Sequence, residues 1–222
     1  MDNKLYKSPW SVFWSTVRAA FQLARGVRVI NKMKQPIVTI FGGSKVEKGS
    51  FYAQKAHDLA KQLAAHDISV LTGGGPGIME FANCGAAAGH KKEANDIFSL
   101  GIRVKGVDDE FSTTCGKFLC VDSFGIRKLL LMRSSLGFVL FPGGIGTCDE
   151  LFEVLTYMKH NKVPRFTILL FGKEYWQQIV DWYVHTAVEQ GLIEQEYKDF
   201  LFVTDDIALI YQLLAERLQT HI

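Results

Sequence analysis

Among the 222 residues of this chain, the stretch from Leu136 to Lys159 holds the residue types and spacing best suited to chemistry. Leu136 to Phe141 is a short apolar run closed by a turn signal, which predicts a strand buried on both faces. Leu151, Val154 or Leu155, and Met158 then recur at helical spacing. Between them lies Pro142-Gly143-Gly144-Ile145-Gly146-Thr147, a glycine-rich turn that delivers the chain onto a helix N-terminus. Unpaired backbone N–H groups and the positive end of the helix dipole meet at such a place and favour an anion. Gly143, Gly144 and Gly146 carry no Cβ, so a phosphate can approach the backbone closely. The same residues also read as a T-x-x-E capping box, with Thr147 as the cap and Glu150 bonding back to it. A capping box accounts for Thr147 and Glu150 without any ligand. It does not account for three glycines and a proline in the five residues before Thr147.

Two further strands are expected to end in glycine turns: Ile37 to Phe41 enters Gly42-Gly43-Ser44, and Ile68 to Leu71 enters Gly73-Gly74-Gly75-Pro76-Gly77. Three such turns on one edge of a parallel sheet suggest a floor for a nucleotide, with Gly43, Ser44, Gly74 and Gly75 in contact with it. Ile78 and Glu80 stand where a third glycine of G-x-G-x-x-G would fall, and no G-x-x-x-x-G-K-[ST] occurs. A nucleoside monophosphate therefore fits better than a dinucleotide or a triphosphate. Met79 reads first as a core residue and second as a wall of the base pocket. Arg127 and Lys128, on a predicted helix ahead of the Leu136 strand, read by themselves as a solvated basic pair.

Pro142 to Glu150 resembles P-G-G-x-G-T-x-x-E, the signature of the LOG (LONELY GUY) family, whose members were long labelled lysine decarboxylases. Gly73 to Glu80 and the Arg127-Lys128 pair agree with the same family, and the resemblance covers about residues 36 to 219. It implies hydrolysis of the N-glycosidic bond of a nucleoside 5′-monophosphate to free base and ribose 5-phosphate, by a homodimer or higher homo-oligomer. In that scheme Glu150 and Arg127 are the catalytic residues. Gly143, Gly144, Gly146 and Thr147 grip the 5′-phosphate, and Lys128, Met79 and Thr156 join the substrate-binding set. Breaking the C1′–N bond develops oxocarbenium character on the ribose. A carboxylate beside the sugar can stabilise that charge and activate the attacking water. The phosphate grip supplies remote binding energy that holds the ribose in place, and Arg127 would orient the substrate or assist departure of the base. Asp149 points about 100° away from Glu150 on a helix and ranks second.

The decarboxylase label fits the residues poorly. Pyridoxal phosphate chemistry needs a Schiff-base lysine and a partner for the pyridinium nitrogen. Neither shows as a motif, so no cofactor and no metal are expected. The chain also departs from better-known family patterns. It reads Gly42-Gly43-Ser44-Lys45 for C-G-S-S and Thr156-Tyr157-Met158-Lys159 for T-W-x-Q, and Val107 to Phe111 lacks E-Q-x-x-N. These changes leave the phosphate cradle intact and leave the base open between cytokinin nucleotides and ordinary purine or pyrimidine monophosphates. A reading from another class is a binding module that holds a nucleotide or similar phosphate ligand as sensor or carrier. Retention of both Arg127 and Glu150 favours the enzyme, because a binder needs the glycines but not that carboxylate.

The elements that must position these residues alternate along the chain. After the strand at Ile37, helices are expected at 50–65, after Gly77, at 125–135, at 148–159, at 174–190 and at 205–218. Strands are expected at 68–71, 97–104, 118–121, 136–141, 166–171 and 201–203. This alternation predicts an α/β fold: a single Rossmann-like domain over residues 36–222, with a mainly parallel sheet and helices on both faces.

A content of 48% hydrophobic residues suits one domain with a full core, and a formal charge of +2 is too small to imply nucleic acid as a partner. Cys84, Cys115, Cys120 and Cys148 form no C-x-x-C pair, so reduced thiols in a cytoplasmic protein are expected rather than zinc or a disulfide framework. Residues 1–35 differ in character: seven Lys and Arg face only Asp2. Trp10, Phe13, Trp14, Val17, Phe21 and Ala24 share one helical face. This extension reads as neither a transmembrane span nor a signal peptide. A basic amphipathic helix can lie on an anionic membrane surface, but packing on its own domain or on a sister subunit is the commoner arrangement.

Overall fold

The computed structural model describes residues 8–90, 96–107 and 115–219. Position 108 onward in the E-Q-x-x-N comparison, and Lys4 and Lys7, fall outside them. A 22-residue helix, α1 (Pro9–Ile30), comes first, with Pro9 in its first turn and the Ser8 side chain accepting from the Ser11 amide. Strand β1 (Ile37–Phe41), helix α2 (Phe51–Ala65), β2 (Ser69–Thr72), α3 (Ile78–Gly89), β3 (Ser99–Val104) and β4 (Lys117–Val121) follow. Then come α4 (Phe124–Arg133), β5 (Gly137–Leu140), α5 (Ile145–Lys159), β6 (Ile168–Phe171), α6 (Lys173–Trp182), β7 (Leu201–Thr204) and α7 (Ile207–Gln219).

All seven strands are parallel and lie in the order β4-β3-β2-β1-β5-β6-β7. The chain builds outward from β1 to β4, then crosses back to lay β5 on the free side of β1, with Val38 beside Gly137 and Phe41 beside Leu140. Strand order therefore reverses between β1 and β5, and in a parallel sheet that reversal opens a crevice beyond the strands' carboxyl ends. The fold is Rossmann-like, as the alternation predicts.

Strand periodicity sorts the core into two layers. Ile37 and Phe41 of β1 meet Leu130, Leu151, Val154, Met158 and Trp176, so α1, α4, α5 and α6 cover one face. Val38 and Ile40 meet Leu59, Leu63, Ile78, Ala82 and Leu214, so α2, α3 and α7 cover the other. Burial of both faces explains why β1, β2, β5 and β6 are uninterrupted runs of buried residues instead of alternating ones. The small residues of α3 have a packing role. A Cβ added at Gly85 or Gly89 would come within 2.1 Å of the His57 or Lys61 carbonyl oxygen, so α2 and α3 touch backbone to backbone there.

Two expectations are corrected. The helix at 174–190 is not continuous: α6 stops at Trp182, and Tyr183–Val188 winds as a π-helix. The wider turn buries Tyr183, Ala187 and Val188 together, and lets the Tyr183 hydroxyl donate to the Tyr197 carbonyl at 3.0 Å. The cysteines are not all reduced: Cys84 on α3 is bonded to Cys115, just before β4, while Cys120 and Cys148 are free. A separation of 31 residues carries no spacing signal, and it is the placement of β4 beyond β3 that brings the two thiols together.

Candidate functional site

The three glycine turns follow β1, β2 and β5, and backbone hydrogen bonds join them. The Gly43 amide donates to the Pro142 carbonyl at 2.9 Å, and the Ile78 amide donates to the Gly43 carbonyl at 3.1 Å. Gly43 is thus the common joint of all three. The contacts leave no room for side chains at two of the glycines. A Cβ at Gly77, where φ is +67°, would lie 2.3 Å from the Gly43 oxygen, and one at Gly143 would lie 2.1 Å from Thr147 Oγ1.

Two helices begin on this floor, and neither has a side-chain cap. The N-cap of α3 is Gly77 and that of α5 is Gly144. Helices α1, α2 and α4 instead start on Ser8, Ser50 and Ser123, each of which accepts from a backbone amide of its own first turn. The capping-box reading of Thr147 and Glu150 is therefore wrong. Because α5 begins at Ile145, Thr147 lies inside the helix, its own amide turned back to Gly144 O at 3.0 Å. The amides of Ile145 and Gly146 come earlier still, among the donors that a helix cannot satisfy internally. With the dipole behind them they suit an anion.

Glu150 lies one turn further along α5 and is buried, with 6% of its surface exposed. Its Oε1 accepts from Arg127 Nη2 at 3.1 Å, across from α4. Burial pushes the Glu150 carboxyl up to about 7, and the opposing charge and hydrogen bond of Arg127 do not undo it. Desolvation wins because this contact is a single bond, not a bidentate fork. The guanidinium rests over Gly73, where an added Cβ would lie 3.3 Å from Arg127 Cζ, and 5.4 Å from the Phe124 ring centroid. Among the described residues Arg127 Nε finds no hydrogen-bond partner, which leaves a buried donor beside the cleft.

The cleft holds about 310 Å3 and is lined by Gly43, Ser44, Met79, Arg127, Gly144, Gly146, Thr147 and Glu150, all of them expected from the sequence. Gly42 and Ile145, which belong to the glycine turns already read, also line it, as do Val107 and Phe124, whose residue types did not mark them in advance. Gly143 sits beneath, its carbonyl accepting from the Tyr175 hydroxyl.

Besides Gly143, four expected residues do not line the cleft. Gly74, at φ +75°, turns toward β3, its carbonyl accepting from Arg103 Nε at 2.9 Å, and Gly75 is likewise not among the lining residues. Lys128 turns to the flank of α5 beside Glu150, where its ammonium meets Asp149 at 2.6 Å and Glu153 at 2.9 Å. Burial alone would push Lys128 down, but those two carboxylates hold it above the usual lysine value. Lys128 clamps α4 to α5 beside Arg127, and the same bond occupies Asp149. Thr156 is almost two turns beyond Glu150. Its hydroxyl donates to the Phe152 carbonyl at 2.7 Å, and it borders a different cavity with Leu155, Tyr183 and Tyr197.

Over residues 79–214 the chain matches the family described as "Possible lysine decarboxylase". The pyrimidine/purine nucleotide 5′-monophosphate nucleosidase of Escherichia coli (strain K12) is 25% identical over 199 residues, 85% of this chain and 42% of that protein. The chain thus spans about two-fifths of that relative's length. The cytokinin riboside 5′-monophosphate phosphoribohydrolase of Rhodococcoides fascians is 29% identical over 182 residues, 77% of this chain and 84% of the relative. Among solved structures, the molybdenum cofactor carrier protein of Chlamydomonas reinhardtii shares the fold with a TM-score of 0.55 and 24% identity, over 82% of this chain and 99% of that one.

Proposed function

Because this chain belongs to the LOG family, long labelled lysine decarboxylases, we propose that it hydrolyses the N-glycosidic bond of a nucleoside 5′-monophosphate, releasing free base and ribose 5-phosphate. One observation carries the reading: a buried carboxylate, Glu150, held by Arg127 one helical turn from an uncapped N-terminus. An anion site alone would serve a binder. A carboxyl tuned to about 7 beside that site is what general-base chemistry at neutral pH needs.

In the proposed reaction the 5′-phosphate sits on the amides at the start of α5, with Thr147 below and Gly43 and Ser44 alongside. The ribose lies over Glu150 and the base against Met79, Phe124 and Val107. As the C1′–N bond breaks, its electron pair leaves with the base, and the ionised Glu150 faces the positive charge that develops on the ring. Glu150 then takes a proton from the water that adds to C1′ and passes it to the departing base, which leaves neutral and restores the carboxylate. Arg127 keeps Glu150 in position and offers its unpaired Nε–H to the substrate. The two relatives are named for a pyrimidine/purine nucleotide 5′-monophosphate and a cytokinin riboside 5′-monophosphate, which supports the substrate class. The base walls of Met79, Phe124 and Val107 are apolar, which suits a heterocycle.

Phosphate dependence tests this reading. Assay of free base should show nucleoside monophosphates cleaved at least on the order of a hundredfold faster than the matching nucleosides, since the phosphate supplies the positioning. Equal turnover of adenosine and its monophosphate would remove the cradle from the mechanism.

We also propose a homodimer. Ile145, 90% exposed at the start of α5, lines the cleft with Phe124, and Phe152 follows two turns along the same face of α5; these exposed apolar groups suit a self-complementary contact. Sedimentation should give twice the chain mass, and a fully active monomer would contradict it. Among the described residues no helix is long and apolar enough to cross a membrane. The compartment that such a substrate implies is the cytoplasm, although the Cys84–Cys115 bond is of a kind that reducing compartments rarely keep.

A further inference from the structure

We propose that α1 docks the protein in-plane on an anionic lipid surface. The helix is about 33 Å long at the standard rise, and only its second half is held by the domain. Gly26 is buried so closely against α4 that an added Cβ would lie 2.4 Å from Leu130 Cδ1, and Ile30, one turn further on, is buried in the same core layer as Leu130. At mid-helix Arg18 meets Asp122 at 2.6 Å, and Gln22 Oε1 accepts from the Asp122 amide at 2.8 Å. Residues 8–18 are all exposed, and Trp14, Ser15 and Arg18 line an open groove that α1 forms with Asp122, Ser123 and Ile126.

The apolar stripe is not what holds the helix to its own domain. Trp10, Phe13, Trp14, Val17 and Phe21 fall within an arc of roughly 100° that faces away from Gly26 and Ile30. Trp10 is 74% exposed and Phe21 69%. Five large apolar side chains on one stripe of a water-soluble surface call for a cover. Arg25 and Arg28 continue the same face and are exposed.

Charge decides what the cover is. Residues 8–35 contain Arg18, Arg25, Arg28, Lys32 and Lys34 and no acidic residue. Seven Lys and Arg stand against one acid in residues 1–35, whereas residues 36–222 carry 18 against 22. An anionic surface would attract the helix end of the molecule and repel the rest, which fixes orientation as well as contact. Pairing of α1 with α1 of a second copy would instead set these cations against one another. Tryptophan and phenylalanine on the apolar face with arginine at its border is the composition that settles at the headgroup–acyl boundary. No helix of the described residues can span the bilayer, so the contact is peripheral.

Vesicle co-sedimentation of the full chain tests the proposal. With phosphatidylcholine vesicles containing about one-third phosphatidylglycerol, the protein should pellet at least tenfold more than with phosphatidylcholine alone, and less as salt is raised. Trp10→Ser with Phe13→Ser and Trp14→Ser should abolish pelleting with the thermal midpoint unchanged, since these positions lie outside the core. Arg25→Glu with Arg28→Glu should weaken it by a similar factor while leaving the aromatic face intact. Equal pelleting with both vesicle types, or with neither, overturns the proposal. So does a fall in sedimenting mass on serine substitution, which would mean that the stripe covers a second copy.

Discussion

Glu150→Gln is expected to lower turnover of nucleoside monophosphates by on the order of a hundredfold or more, with no loss of thermal stability at pH 8. The substitution keeps the shape and an acceptor for Arg127 Nη2 but removes the charge. The stability half follows from the raised carboxyl. A group whose folded value is about 7, above its ordinary 4.5, favours the folded state most below 4.5 and loses that contribution as pH rises through 7. Above pH 7 the buried carboxylate is ionised at a cost of about 3 kcal/mol, for a shift of this size. Glutamine carries no such cost, so the variant should melt at the same temperature or higher at pH 8. The wild-type rate should rise with pH through about 7 as Glu150 ionises, and the residual rate of the variant should lack that limb. A variant that folds normally and cleaves at the wild-type rate would remove Glu150 from the chemistry, and the non-catalytic binding module would then be the surviving account.

Gly77→Ala should unfold the floor of the cleft. At φ +67° an alanine is strained by about 1–2 kcal/mol. Its Cβ would also press on the Gly43 carbonyl at 2.3 Å and on Ser44 at 2.8 Å, both of them backbone. Relief requires Gly43 to move, and Gly43 is bonded to Pro142 as well as to Ile78. Overpacking of this kind adds about 1–3 kcal/mol, so the thermal midpoint should fall by roughly 10 °C. Gly49→Ala is the matched comparison: φ there is +83°, yet nothing lies within 4 Å of the added Cβ. Calorimetry should therefore find Gly49→Ala much the milder of the two. Equal losses would mean that the backbone angle alone matters and that the turns are not tightly joined.

The parts of the site visible in the sequence are those fixed by local chemistry. Glycine turns at the ends of three apolar runs can be read from residue types, because phosphate-sized approaches and helix starts demand them. What escapes is whatever depends on where a helix begins or how it is rotated. The T-x-x-E spacing in Thr147 to Glu150 misleads because α5 starts at Ile145, two residues before the assumed cap. Arg127 and Lys128 are neighbours on a helix and so point about 100° apart. Only one can face the cleft, and two adjacent basic letters do not say which. Gly74 shares a motif with Gly73 and Gly77 but bends toward β3, a pairing that only the strand order reveals. Phe124 and Val107 are apolar residues outside any motif, and the Cys84–Cys115 contact depends on strands meeting across the sheet. The α/β class needed only the alternation of elements, whereas the reversal of order between β1 and β5 came from tertiary pairing.

The glycine that opens α5 has one more consequence. At Gly144 the backbone lies at φ −90°, and an added Cβ would meet nothing within 4 Å. No steric demand excludes serine or aspartate, and either would cap the helix for about 1 kcal/mol. Their side-chain oxygen would also occupy the place to which an incoming anion must bind. The protein is thus less robust at this point than its backbone permits, and a search for heat-resistant variants would select the residue that blocks its own ligand.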